Sequence, residues 1–106
     1  MTSLEDFKKL EIITARVEEV RDHPDASKLL ILKINTGETT KEIVAGIKNY
    51  YSKEGLVGKN IVVINNLEPV VIRGIESSAM LLAAQDENGI SLIIPDKPVK
   101  SGSKVK

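Results

Sequence analysis

Residues 12–34 read IITARVEEVRDHPDASKLLILKI, two apolar segments joined by a polar turn that holds the chain's only histidine. Apolar side chains recur at every second position in each segment, at Ile13, Ala15 and Val17 and then at Leu30, Leu32 and Ile34. Val20 falls on the opposite phase, which predicts a β-bulge near Glu18 and Glu19. A bent first strand followed by a neighbouring strand is typical of a small antiparallel barrel.

The rest of the chain contains further segments typical of strands, separated by helical and irregular segments. Further strands are predicted at KEIVAG (41–46), IVVIN (61–65), AMLLAA (79–84) and ISLIIP (90–95), the last two joined by a DENG hairpin turn. A short helix is predicted over residues 3–10, a helical turn with a loop over 47–59, and an irregular segment over 66–78. We therefore expect an all-β fold, a five-stranded barrel of the OB type with a short helix, an N-terminal helix and a C-terminal extension.

Composition limits the classes of function. The 106 residues predict a single domain, 1–106, and the absence of cysteine excludes disulfides and thiolate chemistry within the chain. Fifteen basic and fifteen acidic side chains cancel, so any basic site must be local. Apolar runs are far shorter than a membrane span and the first residues are charged, which predicts a soluble, cytoplasmic protein.

Most signatures of an enzyme are missing. His23 is the only histidine, so neither a histidine metal cluster nor a histidine-dependent triad is expected, and His23 is interpreted as a turn residue. GLVGKN (55–60) lacks the glycine spacing and hydroxyl residue of a phosphate loop. The adjacent carboxylates at 18–19 and 86–87 are interpreted as solvated. We expect no catalytic residue, no metal and no cofactor.

Four segments together resemble one family. They are LEIITARVEEVRDHPDASKLLIL (10–32), EIVAGIKNYY (42–51), LVGKNIVVINNLEP (56–69) and RGIESSAMLLAA (73–84). In order and spacing they resemble the tRNA-binding domains that occur at the end of bacterial methionyl-tRNA synthetases, as free-standing tRNA-binding proteins and in cytokine-like synthetase cofactors. A secretion-chaperone branch of that family is also similar.

The resemblance implies a set of RNA-binding residues: Lys28, Asn66, Arg73, Ser77, Ser78 and Met80. Lys28 follows a turn stiffened by Pro24, which would present its ammonium group to a phosphate at low entropic cost. The residues alone favour the interpretation of Lys28 as an ordinary surface lysine and of Met80 as a core residue, and they leave open whether Asn66 reads a base edge or caps its loop.

Three positions depart from the family pattern: two reduce the expected basic surface, and the third leaves less room for close backbone approach. Glu68 and Val71 stand where many relatives carry lysine, and Ala79 stands where glycine is usual. With only three aromatic residues, base stacking is not expected to drive binding. We therefore expect tRNA to be recognised by shape and phosphate, without sequence specificity.

The resemblance also implies partners. Leu4, Phe7 and Leu10 share one face of the predicted helix, and with the C-terminal segment they are expected to form a homodimer interface. Such a chain would act in trans, as a β subunit or accessory factor of the methionyl-tRNA synthetase catalytic subunit or as a free protein. Two alternatives stay open: a peptide-binding secretion chaperone of the same fold, and a scaffold that only dimerises a synthetase.

Overall fold

The computed structural model describes all residues from Met1 to Lys106. The elements in chain order are α1 (Leu4–Lys8), β1 (Ile12–Asp22), β2 (Leu30–Asn35), β3 (Thr40–Ala45), α2 (Lys53–Leu56), β4 (Asn60–Ile64), β5 (Val70–Ile72), β6 (Ile75–Ser77), β7 (Met80–Leu81), β8 (Ala83–Asp86) and β9 (Gly89–Leu92). Neither helix is long and apolar enough to cross a membrane.

The main sheet has five strands in the order β3-β2-β1-β4-β7, and every pairing in it is antiparallel. β1 pairs with two strands along its length. Its first half pairs with β4 and, after a bend, its second half pairs with β2. The register against β2 shifts between Val17 and Glu19, so the predicted bulge is confirmed. The bend turns the sheet into a nearly closed barrel of the OB type, which confirms the predicted fold class.

The side chains that the alternating sequence pattern predicted to be buried lie in the interior of the barrel. The core cluster comprises Ile13, Ala15, Val17, Leu30, Leu32, Ile34, Ile43, Ala45, Ile47, Leu56, Ile61, Val63, Ala79 and Leu92. All six residues predicted to alternate in residues 12–34 belong to it. Val20, beyond the bulge, is half-buried and packs against this cluster. Burying these apolar surfaces supplies the main driving force for the fold.

The barrel is closed between β3 and the segment after β6 by side-chain and backbone bonds. The Ser77 hydroxyl accepts a hydrogen bond from the backbone N–H of Val44 at 3.0 Å and donates to the carbonyl of Ala79 at 3.1 Å. The backbone N–H of Ser78 donates to the carbonyl of Glu42 at 3.0 Å. These bonds replace a regular strand ladder where the chain leaves β6.

The C-terminal extension folds back along the start of β1. The hydroxyl of buried Thr14 donates to the carbonyl of Lys100 at 2.8 Å and accepts from the backbone N–H of Ser103 at 3.1 Å. Further backbone bonds join Thr14 to Gly102 and Ile12 to Val105. The extension therefore covers the edge of β1 that β2 leaves unpaired.

Three predictions of secondary structure were wrong. The segment 66–78 is not irregular throughout, because β5 and β6 form a hairpin whose turn is Arg73-Gly74. AMLLAA is not one strand: Leu82 interrupts it, so β7 pairs with β4 and β8 pairs with β9. The last strand ends at Leu92 rather than Pro95, although the DENG hairpin is present. The predicted helices are confirmed, with Ser3 accepting the N-cap bond of α1.

Candidate functional site

The polar turn between β1 and β2 is organised by His23, whose side chain is only 5% exposed. Its Nδ1 accepts a hydrogen bond from the backbone N–H of Asp25 at 3.0 Å, so that nitrogen carries no proton. The proton is therefore on Nε2, which donates to the carbonyl of Ile72 at 3.1 Å. His23 lies in the predicted turn, and it also joins that turn to the β5–β6 hairpin.

Arg73 occupies the tip of this hairpin in an unusual backbone conformation. Its φ is 51° and that of Gly74 is 88°, the pair of positive values that a two-residue type I′ turn requires. The guanidinium group of Arg73 reaches from the hairpin to the β1–β2 turn and donates to the carbonyl of Asp25 at 3.1 Å. The strained residue is thus fixed against the β1–β2 turn.

Lys28 and Arg73 line one shallow cleft of about 350 Å³ together with residues 25–27 and Leu29. Both side chains are exposed, and neither forms a salt bridge within the chain. Two predicted RNA-binding residues that are 45 positions apart in sequence are thus brought together by the fold. We call the barrel end formed by residues 22–29 and the β5–β6 hairpin the loop end.

Two further lysines lie at the loop end and were missed from the sequence. Asp22, the last residue of β1, accepts Lys48 on Oδ1 and Lys53 on Oδ2, each at 3.0 Å. Hydrogen bonds from Lys48 and from Lys53 hold the pKa of the Asp22 carboxyl below its usual value. The backbone N–H of Lys48 also donates to the carbonyl of Lys28 at 3.3 Å. The cluster of Asp22, Lys48 and Lys53 therefore lies beside the cleft.

An adjacent ion pair joins β1 to β3. Arg21 donates to both carboxylate oxygens of Glu42, at 2.6 and 3.4 Å. This hydrogen bonding holds the pKa of the Glu42 carboxyl below its usual value. Because its charge is matched one to one, this pair adds no net charge to the surface beside the loop end.

Of the other predicted residues, Ser77 ends strand β6 of the hairpin, and Ser78 and Met80 follow it toward and into β7. Ser77 is buried and its hydroxyl already has two backbone partners, whereas Ser78 is half-buried. Met80 is 49% exposed and pairs with Ile64 across the ladder, so it is not a core residue. Of these three, Met80 presents the most side-chain surface to an incoming ligand. Binding of RNA by any of them stays a prediction.

Asn66 lies at the opposite end of β1. Its amide oxygen accepts from the backbone N–H of Glu11 at 2.8 Å, and its amide nitrogen donates to the carbonyl of Lys9 at 2.7 Å. The side chain thus ties the segment after β4 to the end of α1. These contacts match the simpler interpretation of Asn66 as a cap for its loop, while its role in RNA binding stays a prediction.

The helix α1 has no buried residue. The apolar residues of this helix and of the turn after it remain exposed in the single chain, Leu4 by 66%, Phe7 by 41% and Leu10 by 37%. We call this end of the barrel, formed by α1, Asn65–Asn66 and the C-terminal residues 100–105, the helix end. It offers an apolar surface without a partner in the chain.

The positions that depart from the family pattern have different surroundings. Val71 is 71% exposed on β5 and Glu68 is exposed before it, so both add uncharged or acidic surface near the hairpin. Ala79 is buried, and its backbone carbonyl accepts a hydrogen bond from the Ser77 hydroxyl. Of the aromatic residues, Tyr51 accepts a hydrogen bond from the backbone N–H of Leu92 on its hydroxyl, and the Tyr50 ring lies against Gly89 while Tyr50 stays 48% exposed.

Taken together, the loop end and the two lysines bound to Asp22 carry four cationic side chains, Lys28, Lys48, Lys53 and Arg73, and three carboxylates, Asp22, Asp25 and Glu76. The formal local charge is therefore +1 in a chain whose net charge is zero. Ammonium and guanidinium groups held at a rigid surface can bind phosphate oxygens through charge-assisted hydrogen bonds. These groups are chemically suited to hold an anionic ligand, and binding by them stays a prediction.

Similarity to known proteins extends over almost the whole chain. The model of a family described as putative tRNA binding domain matches residues 12–104. A methionine–tRNA ligase of Nanoarchaeum equitans is 48% identical over 106 residues, which is 100% of this chain and 14% of that protein. The chain thus spans only about a seventh of the length of this curated relative.

Two solved structures share the fold over its whole length. A MetRS related protein from Pyrococcus horikoshii has a TM-score of 0.92 and 29% identity, with 100% of this chain and 98% of that chain covered. A CsaA chaperone protein from Picrophilus torridus has a TM-score of 0.93 and 32% identity, with both chains covered completely. The likeness therefore includes both branches that the motifs resemble.

Proposed function

The chain belongs to the putative tRNA binding domain family, and from this premise we propose that it binds tRNA through its loop end, without catalytic activity of its own. The observation that carries the proposal is the convergence of Lys28 and Arg73 on one cleft, although 45 positions separate them. Contacts of this kind fix a protein on the RNA backbone and carry no sequence information. We further propose that it serves methionyl-tRNA synthesis in the cytoplasm, in trans to a synthetase catalytic subunit.

The salt dependence of tRNA binding tests this proposal. If the loop end contacts phosphates, Lys28→Ala and Arg73→Ala should each flatten the slope of log affinity against log salt by about 0.7–0.9. Their effect should be equal for two unrelated tRNAs, since phosphate contacts do not read bases. Met80→Ala should weaken binding at unchanged slope, because it removes apolar contact and no charge.

Filter binding of the wild type and these variants across a salt series supplies the measurement. Wild-type slopes in Lys28→Ala and Arg73→Ala would contradict the placement of the site. A strong preference for one tRNA would contradict recognition by shape and phosphate. A wild-type protein without measurable tRNA affinity would remove the proposed function itself.

We also propose that two copies pair through the helix end. Leu4, Phe7 and Leu10 form an apolar face that their own chain leaves exposed, and a second copy would cover it symmetrically. Complete burial of such side chains supplies about 1.5–3 kcal/mol each, and a twofold interface counts every residue twice. Because these side chains are already partly buried in the single chain, their gain is smaller than this, and the C-terminal segment has to add buried area to hold the dimer together.

Sedimentation of Phe7→Ser tests the dimer. The variant should sediment as a monomer at concentrations where the wild type is dimeric, with little change in its own folding stability because Phe7 packs into no core. Val71→Ser is the matched control, since it removes an exposed apolar side chain from the loop end. A dimer that survives Phe7→Ser, or a monomeric wild type, would refute the pairing.

A second candidate function is peptide binding, favoured by the complete structural overlap with a CsaA chaperone protein. A chaperone of unfolded chains needs exposed apolar surface, whereas an RNA-binding protein needs basic surface. A direct competition between total tRNA and an unfolded polypeptide distinguishes the two candidate functions. Binding of polypeptide that is insensitive to salt and unaffected by Lys28→Ala would favour the chaperone.

A further inference from the structure

The surface beside the cleft contains an internal ion cluster that mimics a bound phosphate. Each oxygen of the Asp22 carboxylate holds one ammonium group, from Lys48 and from Lys53, at 3.0 Å. All three side chains are between 38% and 45% exposed, so the cluster lies at the surface in contact with solvent. An anion with two oxygens thus already occupies the position between the two lysines.

We propose that RNA phosphate replaces the Asp22 carboxylate on Lys48 and Lys53, which extends the tRNA-binding surface from the cleft to these two lysines. The inference rests on the proposed binding of tRNA at the loop end. In the free protein Asp22 acts as a competing internal anion. On binding, the ammonium groups turn from the carboxylate to a phosphate of the RNA backbone.

The physical argument begins with the charge of the cluster. Two ammonium groups and one carboxylate leave a formal charge of +1, so a polyanion is still attracted to it. Each ammonium group has three N–H donors and uses one on Asp22, which leaves two free to engage a phosphate before the carboxylate is released. Exposed ion pairs of this kind are weak, so the exchange meets little resistance.

The position of the cluster also favours a shared ligand with the cleft. Lys48 is joined to Lys28 through the backbone at 3.3 Å, and Asp22 directly precedes His23, which binds the hairpin of Arg73. The turn between β1 and β2 therefore contacts both pairs of cationic side chains, Lys28 with Arg73 and Lys48 with Lys53. One continuous RNA backbone passing over this turn would meet both pairs.

Substitutions with opposite effects distinguish exchange from a merely structural ion cluster. Lys48→Ala and Lys53→Ala should each lower tRNA affinity about three- to tenfold at low salt and flatten the salt slope by about 0.7–0.9. Asp22→Asn should raise affinity about two- to fourfold, because it removes the competing anion. A cluster that only supports the fold would give weaker tRNA binding for all three variants, together with lower melting temperatures.

The control is a second exposed pair with the same chemistry. Lys9 and Asp6 form a bridge of 3.1 Å at the helix end, and Lys9→Ala and Asp6→Asn make the same changes of charge there. Both controls should leave the tRNA affinity close to that of the wild type. If Asp6→Asn tightens binding as much as Asp22→Asn, net charge explains the effect and the exchange is refuted.

The remaining outcomes separate this inference from the proposed function. If Lys28→Ala and Arg73→Ala weaken binding while Lys48→Ala, Lys53→Ala and Asp22→Asn match the wild type, the exchange is wrong and tRNA binding at the cleft stands. If the wild type does not bind tRNA, both are wrong. Thermal unfolding of every variant, with Lys48→Arg as a variant that keeps the charge, identifies any loss caused by misfolding.

Discussion

The two ends of strand β1 are held by different interactions. At its start, the helix end combines hydrogen bonds of Asn66 and Thr14 with apolar side chains that have no partner in the chain. At the end of β1, the loop end combines the hydrogen bonds of His23, the ion cluster of Asp22 with its two lysines, and the cleft of Lys28 and Arg73. One strand thus separates a surface suited to a protein partner from a surface suited to phosphate, and the barrel core between them fixes their relative position.

The largest effect is expected from a substitution that acts on both ends. Leu32 is completely buried in the core, paired with Val20 on β1 and Ile43 on β3. Leu32→Ala should lower the free energy of unfolding by about 2–5 kcal/mol, because it removes apolar contacts and leaves a cavity. Urea unfolding measures the loss, with exposed Val71→Ala as a control expected within about 0.5 kcal/mol of wild type.

A substitution at His23 should affect the loop end and leave the helix end unchanged. His23→Ala removes the partners of the Asp25 N–H and the Ile72 carbonyl, so it should cost about 1–3 kcal/mol of folding stability. It should also weaken tRNA binding, because the hairpin that carries Arg73 loses its link to the β1–β2 turn. Sedimentation should still show the dimer. A variant that loses the dimer but keeps wild-type tRNA affinity would contradict this division of β1.

The smallest effect concerns the response of the loop end to acid. Since Lys48 and Lys53 lower the pKa of the Asp22 carboxyl in the folded state, its stabilising contribution is complete above the unfolded value, which is about 4. That contribution is lost as the pH falls through the lower folded value. Because Asp22 is exposed, the contribution itself is small and is further screened by salt.

Urea unfolding of wild type and Asp22→Asn from pH 7 to pH 3 measures this response. The stability difference should be constant at neutral pH and should decrease toward zero in acid. Asp96→Asn is the control, since Asp96 takes part in none of the four salt bridges of the chain. A difference that grows in acid would mean that the carboxylate destabilises the fold.

The sequence by itself determined the barrel. Alternation at Ile13, Ala15 and Val17, and again at Leu30, Leu32 and Ile34, identified the buried faces, because a strand places every second side chain on the same side. The change of phase at Val20 located the bulge for the same reason. The Asn-Gly pair located the β8–β9 hairpin, and Ser3 located the start of α1, since both depend on neighbouring residues alone.

Only the tertiary structure decided how the candidate site is built. The β5–β6 hairpin was missed because Arg73 adopts the positive φ that local rules reserve for Gly, Asn and Asp, and it is held there by Asp25, which is distant in sequence. Leu82 interrupts an apolar run because its backbone forms hydrogen bonds with Val62 on β4 and with Ile93 just after β9. Lys48 and Lys53 look like ordinary surface residues until the fold brings them to Asp22. Periodicity reports which face of a strand is buried, whereas the meeting of charges from distant segments depends on how the barrel closes.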